Sequence, residues 1–472
     1  MDSIISLLNQ IDDLLYYPVL IIVLTVAGVY FSVRSRFAQI RLCSDALRII
    51  FKRPERINGV SPLDALMVST ASIVGTGNII GVSTAICLGG PGAVFWMWIL
   101  ALLGGASSLV ESTLAQIFKQ KDIHSRRSYG GPAYYIEAVI HSKFVAVVFS
   151  VLLIATYGFG FNLLASYNLQ STFEVYEFYD PETTPMIIGG VTALAVLWCL
   201  VGGSDRIANI LGFIVPFMIA MYLITSFMII LMHVDKLPGV LRMIFSDAFN
   251  FRAIGSGIAG SCLVYGIKRG LYSNEAGVGA APNAAAYAHT SHPVKQGLIQ
   301  MLSVYIDTIL ICSATAFMCL ISDVPITHEA AGAQYVQASM TAVFGGFGSF
   351  FITVVMVMFA VTTLIGNLFY VDNALAYLNG KKLPGRVFML CFNIVCALVI
   401  LAGAVTPMAA AWAIADITMA GMAVINIPVL VLAGGIVFRA IKDYEKQRRE
   451  GKDPVFLASS IGLDPEKVDF WK

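Results

Sequence analysis

Charge is scarce in this sequence. Only 12% of its 472 residues are Asp, Glu, Lys or Arg, against roughly 25% in a soluble globular protein. So few charges cannot wet the surface of a soluble body of this size. The same shortage excludes disordered, collagen-like and nucleic-acid-binding classes. Metal and redox signatures are missing as well. No Cys-x-x-Cys occurs, and all eight cysteines except Cys43 sit in apolar runs. They read as small core residues rather than a zinc site or a disulfide framework. There is no Gly-x-Ser-x-Gly, no Walker A run and no His-Glu-x-x-His, so the common hydrolase and NTPase constellations are absent. The N-terminus lacks the basic start of a cleaved signal peptide, and the chain is therefore read as retained from Met1.

Apolar residues are abundant instead, at 58% of the chain, with a mean hydropathy of +0.79. With 41 Gly and 17 Pro, the apolar runs are well supplied with helix interrupters, as in transporters and channels. The expected class is an all-α integral membrane protein. A helix needs about 20 apolar residues to cross the hydrocarbon layer. Eleven runs qualify: 14–34, 62–88, 92–118, 144–166, 186–203, 210–232, 253–289, 293–321, 344–376, 385–402 and 408–438. Lys268, Arg269 and Glu275 interrupt the seventh.

The basic residues set the orientation. Alternate loops carry nearly all of the 30 Lys and Arg, from Arg34 to Arg56, Lys119 to Lys143, Arg206, Lys295, Lys381 to Arg386 and throughout the tail. Only Lys236, Arg242 and Arg252 fall in loops on the other side. The positive-inside rule then predicts an N-terminus outside and a C-terminus in the cytoplasm of a multi-pass cell-membrane protein.

Three places break the helical pattern. The first is Ser69 to Gly81 in span 2, where Gly75, Thr76, Gly77 and Asn78 make a poor helix. Unwound backbone in a membrane lines a cavity or is buried in protein; its carbonyls bind cations and its N–H groups bind carboxylates. Helix packing through small residues is the alternative. The second break is in span 7, from Gly255 to Gly260 and Gly266 to Asn283, where Arg269 and Glu275 are expected to pair across a Gly-rich turn. A re-entrant or cytoplasmic loop is the alternative there. The third is Thr362-Thr363 in span 9. Such hydroxyls either bond back to the preceding turn or ligate a hard cation such as Na⁺. Broken spans five apart, with opposite directions, are the pattern of an inverted-repeat secondary transporter. The chain divides accordingly into 1–61 (an extra N-terminal span and a basic loop), 62–232 and 253–440 (two five-span halves), and 441–472 (a cytoplasmic tail).

Four segments carry a family resemblance: Thr76-Gly77-Asn78-Ile79-Ile80-Gly81-Val82, Gly89-Gly90-Pro91-Gly92-Ala93-Val94-Phe95-Trp96-Met97-Trp98, Tyr129-Gly130-Gly131-Pro132 and Arg269-Gly270-Leu271-Tyr272-Ser273-Asn274-Glu275-Ala276-Gly277. They resemble the alanine or glycine:cation symporter family over about residues 63–440. The resemblance implies the LeuT-like fold of the amino acid–polyamine–organocation superfamily, with a 5+5 inverted-repeat core in spans 2–11. It also implies Na⁺-coupled (in some members H⁺-coupled) uptake of a small neutral amino acid, with alanine or glycine first. The family's substrate motif falls on Thr76, Gly77 and Asn78, and its span-9 threonine on Thr363. Two positions depart: Ala165 stands where many relatives have Gln, and Asn367 where many have Trp. Both are smaller, which opens the pocket to a larger neutral amino acid such as glutamine.

The expected substrate site therefore comprises Gly75, Thr76, Gly77 and Asn78, with Gly257, Gly260, Gly266, Thr363, Asn367 and Ala165 around them. The expected Na⁺ site is neutral, with Thr362, Thr363, Ala71, Ser72, Val74 and Gly75 as oxygen donors. Partners are the amino acid and the lipid bilayer, with no nucleic acid. Asp64 reads as part of a cytoplasmic gate; Glu111, Asp307 and Asp416 read as struts or gate partners, or as a cation relay. His289 and His292 have helical spacing but no third ligand nearby. An ion channel would want a repeated selectivity motif, which does not appear, and a membrane enzyme would want converging nucleophile and base, so a transporter is expected rather than an enzyme.

Overall fold

A computed structural model describes residues 2–51, 62–121, 128–249 and 260–472, and it is almost entirely helical. The helices that build the site are α1 (Asp2–Leu14), α2 (Ile21–Arg34), α3 (Pro62–Ile73), α4 (Val82–Gly89), α5 (Ala93–Ile117), α6 (Lys143–Leu153), α7 (Phe161–Ser171), α8 (Thr184–Val201), α9 (Gly203–Met232), α10 (Gly260–Asn274), α11 (Ala281–Tyr287), α12 (Pro293–Val304), α13 (Ser313–Ile321), α14 (Gly346–Leu378), α15 (Arg386–Ala404) and α16 (Met408–Arg449). One two-stranded antiparallel ribbon, Gln120–Lys121 with Ser128–Tyr129, lies beyond α5.

Among the described residues, eight helices or helix pairs are long and apolar enough to cross a membrane, and α3 with α4 makes a ninth bent by 45° at Val74–Thr76. Their burial separates a core from a ring. Residues of the most apolar stretches of α12–α13 and α14 are 72% buried, and those of α5 67%, whereas α9 and α15 reach only 28% and 22%. Apolar side chains such as Phe213, Phe217 and Val387 stand exposed on that ring. In water this would be costly; in a bilayer it is the lipid-facing surface.

Four π-helical turns interrupt the helices: Leu15–Leu20, Gly77–Gly81, Ile154–Gly160 and Tyr305–Cys312. Such turns displace one residue from the α-helical register and frequently mark functional sites. Three of them fall in spans 2, 4 and 8 and turn Asn78, Tyr157 and Asp307 toward the interior.

Several sequence expectations change here. The break expected at Thr362-Thr363 does not occur, since α14 runs unbroken from Gly346 to Leu378 with the Thr362 hydroxyl bonded back to the preceding turn; the break expected in span 7 does occur. The first residues of that span lie outside the described segments, and α10 and α11 are separated by a turn at Glu275–Ala280 in which Glu275, Gly277 and Gly279 all have positive φ. Ile267–Tyr287 is buried in protein, so no free loop forms there. Span 11 continues as one helix to Arg449, because residues beyond 438 are good helix formers supported by pairs such as Arg449–Glu445. His289 and His292 share no helix: α11 ends at Tyr287, and His292 caps α12 by accepting the Val294 N–H.

Candidate functional site

The break in span 2 is held open by its own asparagine. The Gly75 N–H, which an unbroken helix would send to the Ala71 carbonyl, donates instead to Asn78 Oδ1 at 2.8 Å. Asn78 Nδ2 in turn donates to Asp307 Oδ1 at 2.6 Å and to Ser273 Oγ at 3.0 Å. Asp307 Oδ2 accepts from Ser273 Oγ and Thr308 Oγ1 at 2.7 and 2.8 Å. A buried carboxylate is thereby fully hydrogen-bonded, and spans 2, 7 and 8 are tied at one point.

Beside it, α7 presents one face to spans 2 and 9. Asn162, Ala165 and Asn168 follow at intervals of three residues and are all buried. Asn168 Nδ2 donates to Thr76 Oγ1 at 3.1 Å. Asn162 Oδ1 accepts from Asn367 Nδ2 at 3.0 Å, and Asn367 Oδ1 accepts from Ser72 Oγ at 2.7 Å. Asn367 therefore stands at the meeting of spans 2, 4 and 9, and neither it nor Ala165 is among the residues lining the cavity described below. Asn367 acts there as a bridge between α7 and α3.

The adjacent threonines of α14 behave differently. Thr362 Oγ1 bonds back to the Met358 and Phe359 carbonyls and lies against Met218 of α9. Its hydroxyl is committed to its own helix, so the structure does not bring it to the break. Thr363 Oγ1 is buried, accepts and donates no hydrogen bond, and faces Gly75. It lines a small cavity with Ser72, Ile73, Gly75, Thr76, Gly77, Phe161, Tyr272 and Glu275. The cavity has room for about one water or small ion.

An aromatic cover closes one side of this cavity. The Tyr272 ring meets Phe161 and Trp412 edge-on, each at 4.9 Å between centroids, and a side chain at Gly77 would strike Tyr272. Above Trp412 stands Arg269, 3.6 Å from the ring centre and 2.9 Å from Asp416 Oδ2. This corrects the expected Arg269–Glu275 pair: both charges are buried, but α16 brings Asp416 to the guanidinium, while Glu275 faces the cavity. Lys268 pairs with Asp12 at 2.7 Å and lies over Tyr16, so α1 sits across the same end.

Glu111 accepts from the Gly277 N–H at 3.2 Å and from Asn426 Nδ2 at 3.1 Å, which pins the α10–α11 turn to α5 and α16. Gly266 packs against Ala93 and Trp96 of α5 with no room for a side chain, which places it at a helix contact rather than at the cavity. Gly260 opens α10, Gly257 lies outside the described residues, and so does the side chain of Asp64. Ala71 and Val74 flank the cavity residues on α3 and at the bend. The sequence reading missed Phe161, Tyr272, Asn162, Asn168 and the orientation of Glu275. Polar Asn in an apolar helix was a signal for two of them; the rest required the register of each helix.

At the opposite end the tail folds back. The Phe456 N–H donates to the Ser291 carbonyl, Lys295 pairs with Asp453, and Trp471 Nε1 donates to the Gln116 carbonyl at 2.7 Å. Lys119, just beyond α5, is buried against Phe470 and Trp471 and donates to the Ala288 carbonyl at 2.7 Å. Burial lowers its pKa to about 7.

Known proteins share this sequence along nearly its whole length. The chain is 40% identical to the "Probable sodium/glutamine symporter GlnT" of Bacillus subtilis, over 94% of this chain and 91% of that protein. It is 37% identical to the amino-acid carrier protein AlsT of the same organism, over 98% and 97%. A sodium/proton-dependent alanine carrier protein of Bacillus sp. strain PS3 is 35% identical over 88% and 94%. The family profile described as "Sodium:alanine symporter family" matches residues 1–458. With apolar helices in number and these relatives, this is a multi-pass membrane protein, and the chain belongs to the sodium:alanine symporter family.

Proposed function

We propose that this chain carries a small neutral amino acid across the cell membrane together with Na⁺, by alternating access. The observation that carries this reading is the span-2 break beside the free Thr363 hydroxyl, at a buried cavity in the middle of the bundle. Freed backbone at such a break is where a half-helix binds a carboxylate and a hard cation. Thr76, Gly77 and Asn78 frame the amino acid in this reading; Thr363, Gly75 and neighbouring carbonyls frame the cation. Binding the cation would draw span 2 toward span 9, so that each ligand raises the other's affinity by the same factor.

Eleven spans accommodate both breaks: one N-terminal span, then two five-span halves in inverted orientation. The N-terminus would lie outside and the C-terminus in the cytoplasm. The Arg269–Asp416 pair under α1 would then close the outer side, and the docked tail would lie at the inner side.

Alanine or glycine is the first expectation for the substrate. Glutamine is the second reading, favoured by a relative bearing that name. Proton coupling is the rival for the ion, since one relative is named for both cations. A counterflow screen of amino acids in proteoliposomes, with Na⁺ and pH gradients imposed separately, tests all three. Uptake driven by a pH gradient and indifferent to Na⁺ would overturn the Na⁺ reading.

A further inference from the structure

Among the described residues, four carboxylates are buried in the core of the bundle: Glu111, Glu275, Asp307 and Asp416. Three are accounted for. Glu111 receives Asn426 and the Gly277 N–H, Asp307 receives Asn78, Ser273 and Thr308, and Asp416 holds Arg269. Glu275 is the remaining one. It is 1% exposed and lies beside the Tyr157 hydroxyl, but its Oε2 accepts no hydrogen bond. Among the described residues no ion pair reaches it, because Arg269 is turned to Asp416 and Trp412, and Lys268 to Asp12 and Asp13.

A buried carboxylate without a partner is costly in its charged form. Tyr157 is a neutral neighbour and leaves Oε2 without a donor or a counter-charge, so the missing partner of Oε2 has to come from the cavity that Glu275 lines. That cavity also holds the one threonine hydroxyl of the pair that does not bond back to its own helix, Thr363 Oγ1. Two buried oxygens that make no hydrogen bond, one of a hydroxyl and one of a carboxyl group, thus belong to residues lining the same space beside Gly75 and Thr76. The space suits a bare ion and is too small for an amino acid. A hard monovalent cation is the ligand whose chemistry satisfies an all-oxygen set of this kind.

We propose that Glu275 is the anionic ligand of the coupling Na⁺, completing with Thr363 and the span-2 backbone a charged site where a neutral one was expected. Glu275 also begins the turn between α10 and α11, so the ion would join the broken parts of spans 7 and 2 to the continuous helix α14. The inference rests on the Na⁺-symport reading and adds its charged ligand.

The test is Na⁺ titration of purified protein in detergent, with choline replacing Na⁺ at constant ionic strength. Thermal stability and ²²Na⁺ binding are the readouts. Wild type should be stabilised by Na⁺, and Glu275→Gln should raise the Na⁺ concentration for half-maximal effect by about tenfold or more. Glu275→Asp, which keeps the charge, should fall between the two, and it serves where the Gln variant does not fold. A Na⁺ dependence unchanged in both variants would overturn the proposal and make Glu275 a protonated strut. Loss of amino-acid affinity at saturating Na⁺, with the Na⁺ constant intact, would overturn it in favour of a contact with the substrate ammonium. A wild type that neither binds nor responds to Na⁺ would overturn the symport reading itself, a result distinct from the other two.

Discussion

Gly75 and Thr363 meet across the gap between α3 and α14 with no room for a side chain between them: a methyl group on Gly75 would overlap the Thr363 hydroxyl. Overpacking of this kind costs roughly 1–3 kcal/mol or forces the helices apart. Gly75→Ala should therefore abolish Na⁺-driven uptake in protein that still inserts. Gly81→Ala is the control, since its added carbon would meet nothing closer than 3.9 Å and should leave uptake near wild type. Labelled alanine uptake into proteoliposomes reads the difference; equal activities would mean the Gly75 contact is unimportant.

The two threonines of α14 should separate. Thr363→Ala removes the unpartnered hydroxyl and should raise the Na⁺ concentration for half-maximal uptake by about tenfold. Thr362→Ala removes a hydroxyl already bonded to Met358 and Phe359 and should change it by less than about threefold. Equal shifts in the two variants would show that the pair acts together.

Asn78 is a strut as well as a candidate substrate contact. Asn78→Ala leaves the Gly75 N–H and Asp307 each short of a partner, at a cost of roughly 1–3 kcal/mol. Thermal unfolding without substrate should show the loss. A residue that touched substrate alone would weaken binding and leave the substrate-free midpoint unchanged.

Asp416→Asn takes the counter-charge from Arg269 in a buried place, and such a loss typically destabilises a contact by about 3–5 kcal/mol. The end under α1 should open more often. Cys312 lies 3.4 Å from Asn78 and is buried, so its labelling by a water-soluble maleimide, located by mass spectrometry, should rise in the variant. Labelling at the wild-type rate would show that the pair does not hold that end shut.

The docked tail should respond to pH. Burial lowers Lys119 to about 7, against about 10.4 for an exposed lysine. Above 7 the docked form holds fewer protons than the undocked one, so docking strengthens as pH rises from 7 toward 10 and weakens as it falls back. His292, which faces Asp443, Lys295 and Tyr444, is also held below the ordinary imidazole value by burial, and it loosens the tail further under acid. Limited proteolysis after Arg449 should be faster at pH 6 than at pH 9. Lys119→Met should flatten that profile between pH 7 and 9; an unaltered profile would remove Lys119 from the docking equilibrium.

Much of this was legible in the sequence. Apolar run length gave the helices, because a span must cover a fixed thickness of hydrocarbon and satisfy its own backbone. The Gly75–Asn78 break was legible because glycine beside a short polar side chain cannot hold a helix as well as its neighbours do. The end of span 11 was missed because apolarity stops at 438 while helix propensity continues to Arg449. The Gly-rich break in span 7 was legible too, but not that the turn begins at Glu275, because a positive φ at a glutamate has no signature in composition.

The sequence by itself determined that the chain is a helical membrane protein with weak points in spans 2 and 7, since hydropathy and helix propensity act over a few neighbouring residues. Only the tertiary structure decided which polar groups at those points meet. Thr362 and Thr363 are adjacent in sequence yet face different neighbours, because successive residues on a helix point about 100° apart. Arg269 and Glu275 are six residues apart and belong to different contacts, because α16 delivers Asp416 to the first and the bend in α3 opens a cavity before the second. Partner choice inside a low-dielectric core depends on distances of a few ångström set by the packing of several helices, and no local stretch of sequence carries that information.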